Sequence, residues 1–262
     1  MKAVIPIARA FFAIAMVAFG IQHFIYGTFV TRIAPEPPAW IPWHPFWAYV
    51  AGAVLIVAGI AILSGKGARA AAVLLGVLVL LGFLLLYVPR IAVAPPLGGL
   101  WTNAGKALAL SGGAFLVAGS LTRQGTGSSL LGWLDRLIPL GRFFVGAFLI
   151  LGGVQHFLFT TFVASLVPAW IPGHLFWTYF AGLALIAGGA GMMIPPTMRL
   201  AAFLSGIMIF LWVLTLHIPR AIAAPHDSNE TTAMFEALAI SGAAFLVAAM
   251  SRSPVKAESP IQ

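Results

Sequence analysis

The chain has 262 residues, 61% of them hydrophobic and 8% charged, with a formal net charge of +8 and no cysteine. A soluble domain carries about a quarter charged residues, so this composition excludes one. The missing thiols exclude disulfides, thiol redox chemistry and cysteine-ligated zinc or iron–sulfur clusters. The positive charge is scattered through loops rather than set on one stripe, which points to membrane topology and away from nucleic acid.

Apolar runs of about 18 or more residues recur along the chain and predict transmembrane helices. The expected fold class is an all-α integral membrane protein with eight spans, at roughly 5–26, 46–64, 68–88, 102–121, 139–159, 175–194, 198–218 and 233–250. The first run has features of a signal peptide: Lys2, then apolar residues, then Ala13-Ile14-Ala15 as a cleavage-like triplet. It is longer than such a segment, and a matching run recurs mid-chain around Phe143 to Phe157, so it reads as a span.

That first span closes on Gln22-His23-Phe24, followed by the loop Pro38-Ala39-Trp40-Ile41-Pro42 and His44. Span three ends at Tyr87 and Arg90, and Lys106 stands about one turn into span four. The same features then return as Gln155-His156-Phe157, Pro168-Ala169-Trp170-Ile171-Pro172, His174, His217, Arg220 and Glu236. His156 follows His23 by 133 positions, whereas Trp170 follows Trp40 by 130, as do Arg220 after Arg90 and Ser241 after Ser111. One three-residue length difference between Val30 and Pro38 accounts for the change. The repeat unit is therefore four spans. An even number returns the chain to the side it left, so the halves are expected to be parallel four-helix bundles related by a pseudo-two-fold axis along the membrane normal.

The domain reading follows: 1–122 as the first unit, 123–138 as a linker with an interfacial helix, 139–250 as the second unit, and 251–262 as a disordered tail. The linker Gln124 to Ser129 is polar and short. Leu130 to Leu137, with Trp133, reads as an amphipathic piece lying on the membrane surface. Small residues four apart, Ala48/Gly52 and Ala184/Gly188, are suited to close helix approach.

Orientation comes from lysine and arginine in the loops. Lys2, Arg9, Lys66, Arg69, Arg123, Arg136, Arg142, Arg199, Arg252 and Lys256 fall on one side, and Arg32, Arg90 and Arg220 on the other. Ten against three puts both termini in the cytoplasm and suggests a bacterial inner membrane. The duplicated polar residues then gather at the outer ends of the spans. Gln22, His23, Arg90 and Lys106 form one candidate ligand-binding set, and Gln155, His156, His217, Arg220 and Glu236 the other, with Trp40, His44, Trp170 and His174 in the loops above them. Simpler roles exist for many of these. Trp40, Trp43, Trp47, Trp101, Trp170 and Trp177 suit an aromatic belt, and Arg90 and Arg220 can snorkel to lipid phosphate. Lys106 and Glu236, equivalent in the repeat but opposite in charge, can pair across the axis or find partners within their own halves, Tyr87 for Lys106 and His217 or Arg220 for Glu236. Partnering within each half is the expectation, because the other polar residues are organised that way. No metal site is expected.

The His-Phe ending of span one, the Pro-x-Trp-Ile-Pro loop, the Phe-Trp-x-Tyr-x-Ala-Gly opening of span two and the run Lys106 to Gly113, echoed as Glu236 to Ala243, resemble DoxX-like membrane proteins. Members of that family are typically one four-helix unit, so this chain looks like two units fused. Some members are associated with quinone-linked oxidation of sulfur compounds, others with membrane oxidoreductase complexes that handle oxidative stress. The resemblance thus implies a quinone as ligand and a redox partner protein as the source of electrons, since the sequence shows no redox-cofactor motif of its own. A transporter or lipid-binding protein for an anionic amphipathic ligand, and a non-catalytic assembly factor, are the alternatives.

Reporter fusions after Ser64, Pro96, Gly127 and Asp227 are expected to read cytoplasmic, external, cytoplasmic and external. An external reading at Gly127 overturns both the topology and the parallel repeat.

Overall fold

Apolar segments with no water to serve their backbone must satisfy their N–H and C=O groups internally, and a helix does so within the segment. A computed structural model describes residues 3–34, 37–94, 96–122 and 129–251, and no strand occurs among them. The segment 123–128 and the tail 252–262 lie outside the described residues, as do Lys2, Arg123, Arg252 and Lys256, so the flexible linker and the disordered tail expected there are not described.

The helices are α1 (Val4–Tyr26), α2 (His44–Ser64), α3 (Ala68–Ile91), α4 (Gly99–Gly119), α5 (Ser129–Leu134), α6 (Gly141–Leu158), α7 (Thr160–Leu166), α8 (His174–Met193), α9 (Pro195–Ala223) and α10 (Ser228–Met250). Among the described residues, seven helical segments are long and apolar enough to cross a membrane: α1, α2, α3, the segment ending in α6, α8, α9 and α10. The remaining long helix, α4, has 21 residues but carries Thr102, Asn103 and Lys106 in its first two turns. Between α5 and α6 the chain makes a 3₁₀ segment, Asp135–Leu140, that contains Pro139.

Helices α3 and α9 each loosen into a π turn, Phe83–Tyr87 and Val213–His217. The cause lies two residues beyond each turn, at Pro89 and Pro219. A proline has no N–H to offer, and its ring crowds the carbonyl four residues back. The wider turn absorbs both defects and re-aims Tyr87 and His217.

Packing does not follow the two halves of the sequence, and this corrects the expectation of two separate bundles. Helix α1 packs on α2 and on α10 from the other half, while α6 packs on α8 and on α4; α1 barely touches α4. Helices α3 and α9 pack on α4 and α10, and α4 and α10 meet at the centre, where a Cβ on Gly113 would touch that of Ala243. These two helices are the most buried of the long ones. Their serines are hidden: Ser111 Oγ donates to the Gly76 carbonyl at 2.8 Å and Ser241 Oγ to that of Gly206 at 3.0 Å.

The α1–α2 and α6–α8 crossings depend on bare backbone. A Cβ on Gly20 would lie 2.5 Å from the Gly52 oxygen, and one on Gly153 would lie 2.6 Å from the Gly182 oxygen. Both distances are too short to exist, so the helices would have to separate. Gly153→Ala is expected to cost about 1–3 kcal/mol by forcing a backbone shift. Gly82→Ala, where nothing lies within 4 Å of the new methyl, should be neutral or stabilising by up to about 1 kcal/mol through helix propensity. Unfolding in mixed detergent micelles measures both, and equal effects would refute close approach at Gly153.

Candidate functional site

One carboxylate and two cations meet between the first turns of α4 and α10. Glu236 on α10 is 4% exposed and Lys106 on α4 is 8% exposed. Lys106 Nζ lies 2.9 Å from Glu236 Oε2, and Arg32, from the turn after α1, places its terminal nitrogen 3.2 Å from the same oxygen. Lys106 and Glu236 thus pair across the halves, correcting the expectation of partners within each half. They do so because α4 and α10 are central neighbours. Tyr87, the expected partner of Lys106, donates to the Thr31 carbonyl at 3.3 Å instead.

The cluster forms one wall of a cavity of about 430 Å³ at the end of the molecule where α1 and α6 finish. Its polar lining is Arg32, Thr102, Lys106, Gln155, His156, His217 and Glu236; its apolar lining includes Phe148, Phe159, Phe162, Leu185, Ile209 and Trp212. Three buried polar atoms of these residues have no hydrogen-bond partner: His217 Nδ1, Glu236 Oε1 and Arg32 Nε. His156 Nδ1 donates to the Gly152 carbonyl at 2.7 Å, and the ring lies over Trp212 with centroids 6.3 Å apart. Committing the Nδ1 proton to the backbone makes Nε2 of the neutral ring an acceptor. The cavity therefore offers cationic donors on one side and a histidine acceptor on another.

His23, the counterpart of His156, has no such freedom. It is 0% exposed. Its Nδ1 donates to the Phe19 carbonyl at 2.7 Å, the Val30 N–H donates to Nε2 at 3.4 Å, and Phe29 stands edge-on at 5.9 Å. The two glutamines join the halves. Thr232 Oγ1 donates to Gln22 Oε1 at 3.1 Å, and Thr102 Oγ1 to Gln155 Oε1 at 3.0 Å, while Gln155 Nε2 donates to the Leu97 carbonyl at 2.8 Å.

Residues 4–88 match the family model DoxX. Over those residues the chain is DoxX-like, and its long apolar helices are those of a membrane protein. Residues 145–252 match a domain of unknown function, DUF8561. No curated protein and no solved structure matches the chain. The DoxX match runs from the start of α1 to Val88 in α3 and includes Gln22, His23 and Tyr87. The cavity draws mainly on the second matched region, which holds His156, His217 and Glu236. The Lys106 to Gly113 motif falls in neither.

The other sequence candidates lie apart from the cavity. Arg220 forms a two-pronged ion pair with Glu230, its Nε donating to Oε2 at 2.8 Å and a terminal nitrogen to Oε1. Glu230 is thus a second acid within α10, which starts at Ser228, ahead of the span expected at 233–250. Trp40 and Trp170 are 81% and 70% exposed. His44 Nε2 donates to the Pro38 carbonyl at 3.3 Å, inside its own loop. These three and Arg90 and His174 are absent from the cavity wall. The residues missed by sequence reasoning are Arg32 and Trp212. Arg32 sits in the stretch where the halves differ in length, so comparison of the repeats passes over it; Trp212 is one apolar residue among many in its helix.

Glu236→Ala leaves Lys106 buried, and Arg32 half-buried, without a counter-charge and should cost about 3–5 kcal/mol, most of it from Lys106. Lys106→Met keeps the Arg32–Glu236 contact and should cost distinctly less. Detergent unfolding curves of the two variants check this; equal losses would show that Arg32 contributes nothing to Glu236.

Proposed function

We propose that this protein is a quinone-binding membrane subunit of an oxidoreductase system, with the headgroup in the cavity beside Glu236 and electrons delivered by a partner protein. The observation that carries the reading is the set of unpartnered polar atoms on the wall of an otherwise apolar cavity. A buried polar group without a partner costs about 1–3 kcal/mol, and a ligand that supplies the missing bonds recovers that free energy. A quinone ring suits the apolar walls. Its carbonyl oxygens accept from Arg32 or Lys106, and the hydroxyl of its reduced form donates to His156 Nε2, Glu236 Oε1 or His217 Nδ1. The ligand-binding set is accordingly Arg32, Lys106, His156, His217 and Glu236; Gln22, Gln155, Arg220 and Arg90 act in the framework.

The same reading places the chain in a bacterial inner membrane with α4 as an eighth span and both termini in the cytoplasm. The halves are related by a pseudo-two-fold axis between α4 and α10, each half lending its first helix to the other. A second reading, an anionic amphipathic lipid, is favoured by the excess of two cations over one carboxylate in the cluster.

Trp212 in the cavity wall supplies the readout. A short-tailed quinone should quench the fluorescence of the purified protein saturably. His217→Ala and His156→Ala should each weaken that binding by about 1–3 kcal/mol while leaving membrane insertion intact. Displacement by anionic phospholipid with no response to quinones assigns the cavity to lipid. Unchanged quinone binding in both variants overturns the proposed site.

A further inference from the structure

A second, larger cavity adjoins the polar one. This groove, of about 1020 Å³, lies between α8 and α9 and shares His156, Val163, Trp212 and His217 with the first. Its lining runs from His217 at one end of α9 to Thr197 at the other. Twenty residues of helix span about 30 Å, the thickness of a bilayer's hydrocarbon core. Small residues of α8, Ala181, Ala184, Ala187 and Gly188 among them, keep the groove deep, and Leu204 and Leu211 face them from α9. Ala187, Leu204 and Leu211 are exposed, so the groove opens on the side of the molecule that faces lipid.

We propose that the ligand carries a long apolar chain that lies along this groove while its head occupies the polar cavity, and that it arrives sideways from the bilayer between α8 and α9. The inference rests on the headgroup reading above and adds the class of substrate, a membrane-resident quinone with a polyisoprenoid tail. Three features point to one chain-shaped occupant. The groove runs about the thickness of a bilayer's hydrocarbon core and its lining is mostly apolar. Its wall shares His156 and His217 with the head cavity, so a tail leaving the head there has the groove beside it. Val163, on the short helix α7, lines both spaces, and the exposed wall residues mark the opening between α8 and α9 as the path from lipid. His23, by contrast, is covered by Phe29 and Val30.

Two quinones with the same ring, one short-tailed and one with a long polyisoprenoid tail, distinguish this arrangement from headgroup binding alone. Binding is measured in nanodiscs of phosphatidylethanolamine and phosphatidylglycerol, with affinities expressed as bilayer mole fraction so that partitioning cancels. The wild-type protein should bind the long-tailed quinone about tenfold more tightly, a difference of about 1.4 kcal/mol. Ala187→Phe should abolish that preference and keep the affinity for the short-tailed one. Leu204→Trp, from the opposite wall, serves the same purpose where A187F does not fold. If the wild-type protein binds both quinones equally, or if neither groove variant changes the preference, the tail inference is overturned and the headgroup reading stands. Loss of copurifying phospholipid from the groove variants with no change in quinone preference assigns the groove to bulk lipid and also overturns it. If neither quinone binds the wild-type protein, both readings fall.

Discussion

Glu236 answers two cations with one carboxylate, at the point where the central helices meet. Removing charges from water costs several kcal/mol per ion, and only good geometry with further hydrogen bonds offsets it. Here the geometry is half complete. Oε2 receives both Lys106 and Arg32, while Oε1 is buried without a partner. The arrangement depends on α4 and α10 lying side by side, which in turn depends on small residues at their contact and on serines whose hydroxyls are absorbed by carbonyls of α3 and α9. Close backbone packing thus fixes the electrostatics, and the electrostatics leave one buried oxygen facing a cavity.

Identical residues reach different ends in the two halves. His23 and His156 have the same Gln before and Phe after them, and each donates its Nδ1 proton one turn back along its helix. What differs is the chain beyond. After α1 it turns back so that Phe29 and Val30 fill the space over His23. After α6 it continues as α7, which arches over His156 and leaves room beneath. The chemistry of the histidine is constant, and access to it is set by a few residues of connecting chain.

Much of the architecture could be read from the sequence, because long apolar runs leave helices as the only economical structure and because duplicated motifs mark corresponding positions. The positions of the helices were legible to within a few residues. Their neighbours were not. Nothing in the pattern around Gln22 says that its partner is Thr232, since hydrogen bonds between halves depend on which helix faces which. The same gap hid the Lys106–Glu236 pair, where the grouping of polar residues by half favoured local partners. Tyr87 and His217 were legible as residues near the ends of their spans, but the π turn that re-aims them arises from the missing N–H of a proline two residues on. Arg32 was counted as a loop charge because its side chain reaches the cluster from outside any helix.

The exchange of first helices has a consequence for how such a protein can evolve. A chain of four helices could make these contacts only with a second copy of itself, and the residue at the Lys106 position would then confront its own duplicate. Two lysines or two glutamates would face each other in hydrocarbon, where like charges repel strongly. Two such units in one polypeptide would be free of that symmetry. One copy can keep a lysine while the other takes a glutamate, so a charged centre forbidden to a self-paired unit becomes a stable one. The same freedom lets one histidine be walled in while its counterpart lines a cavity.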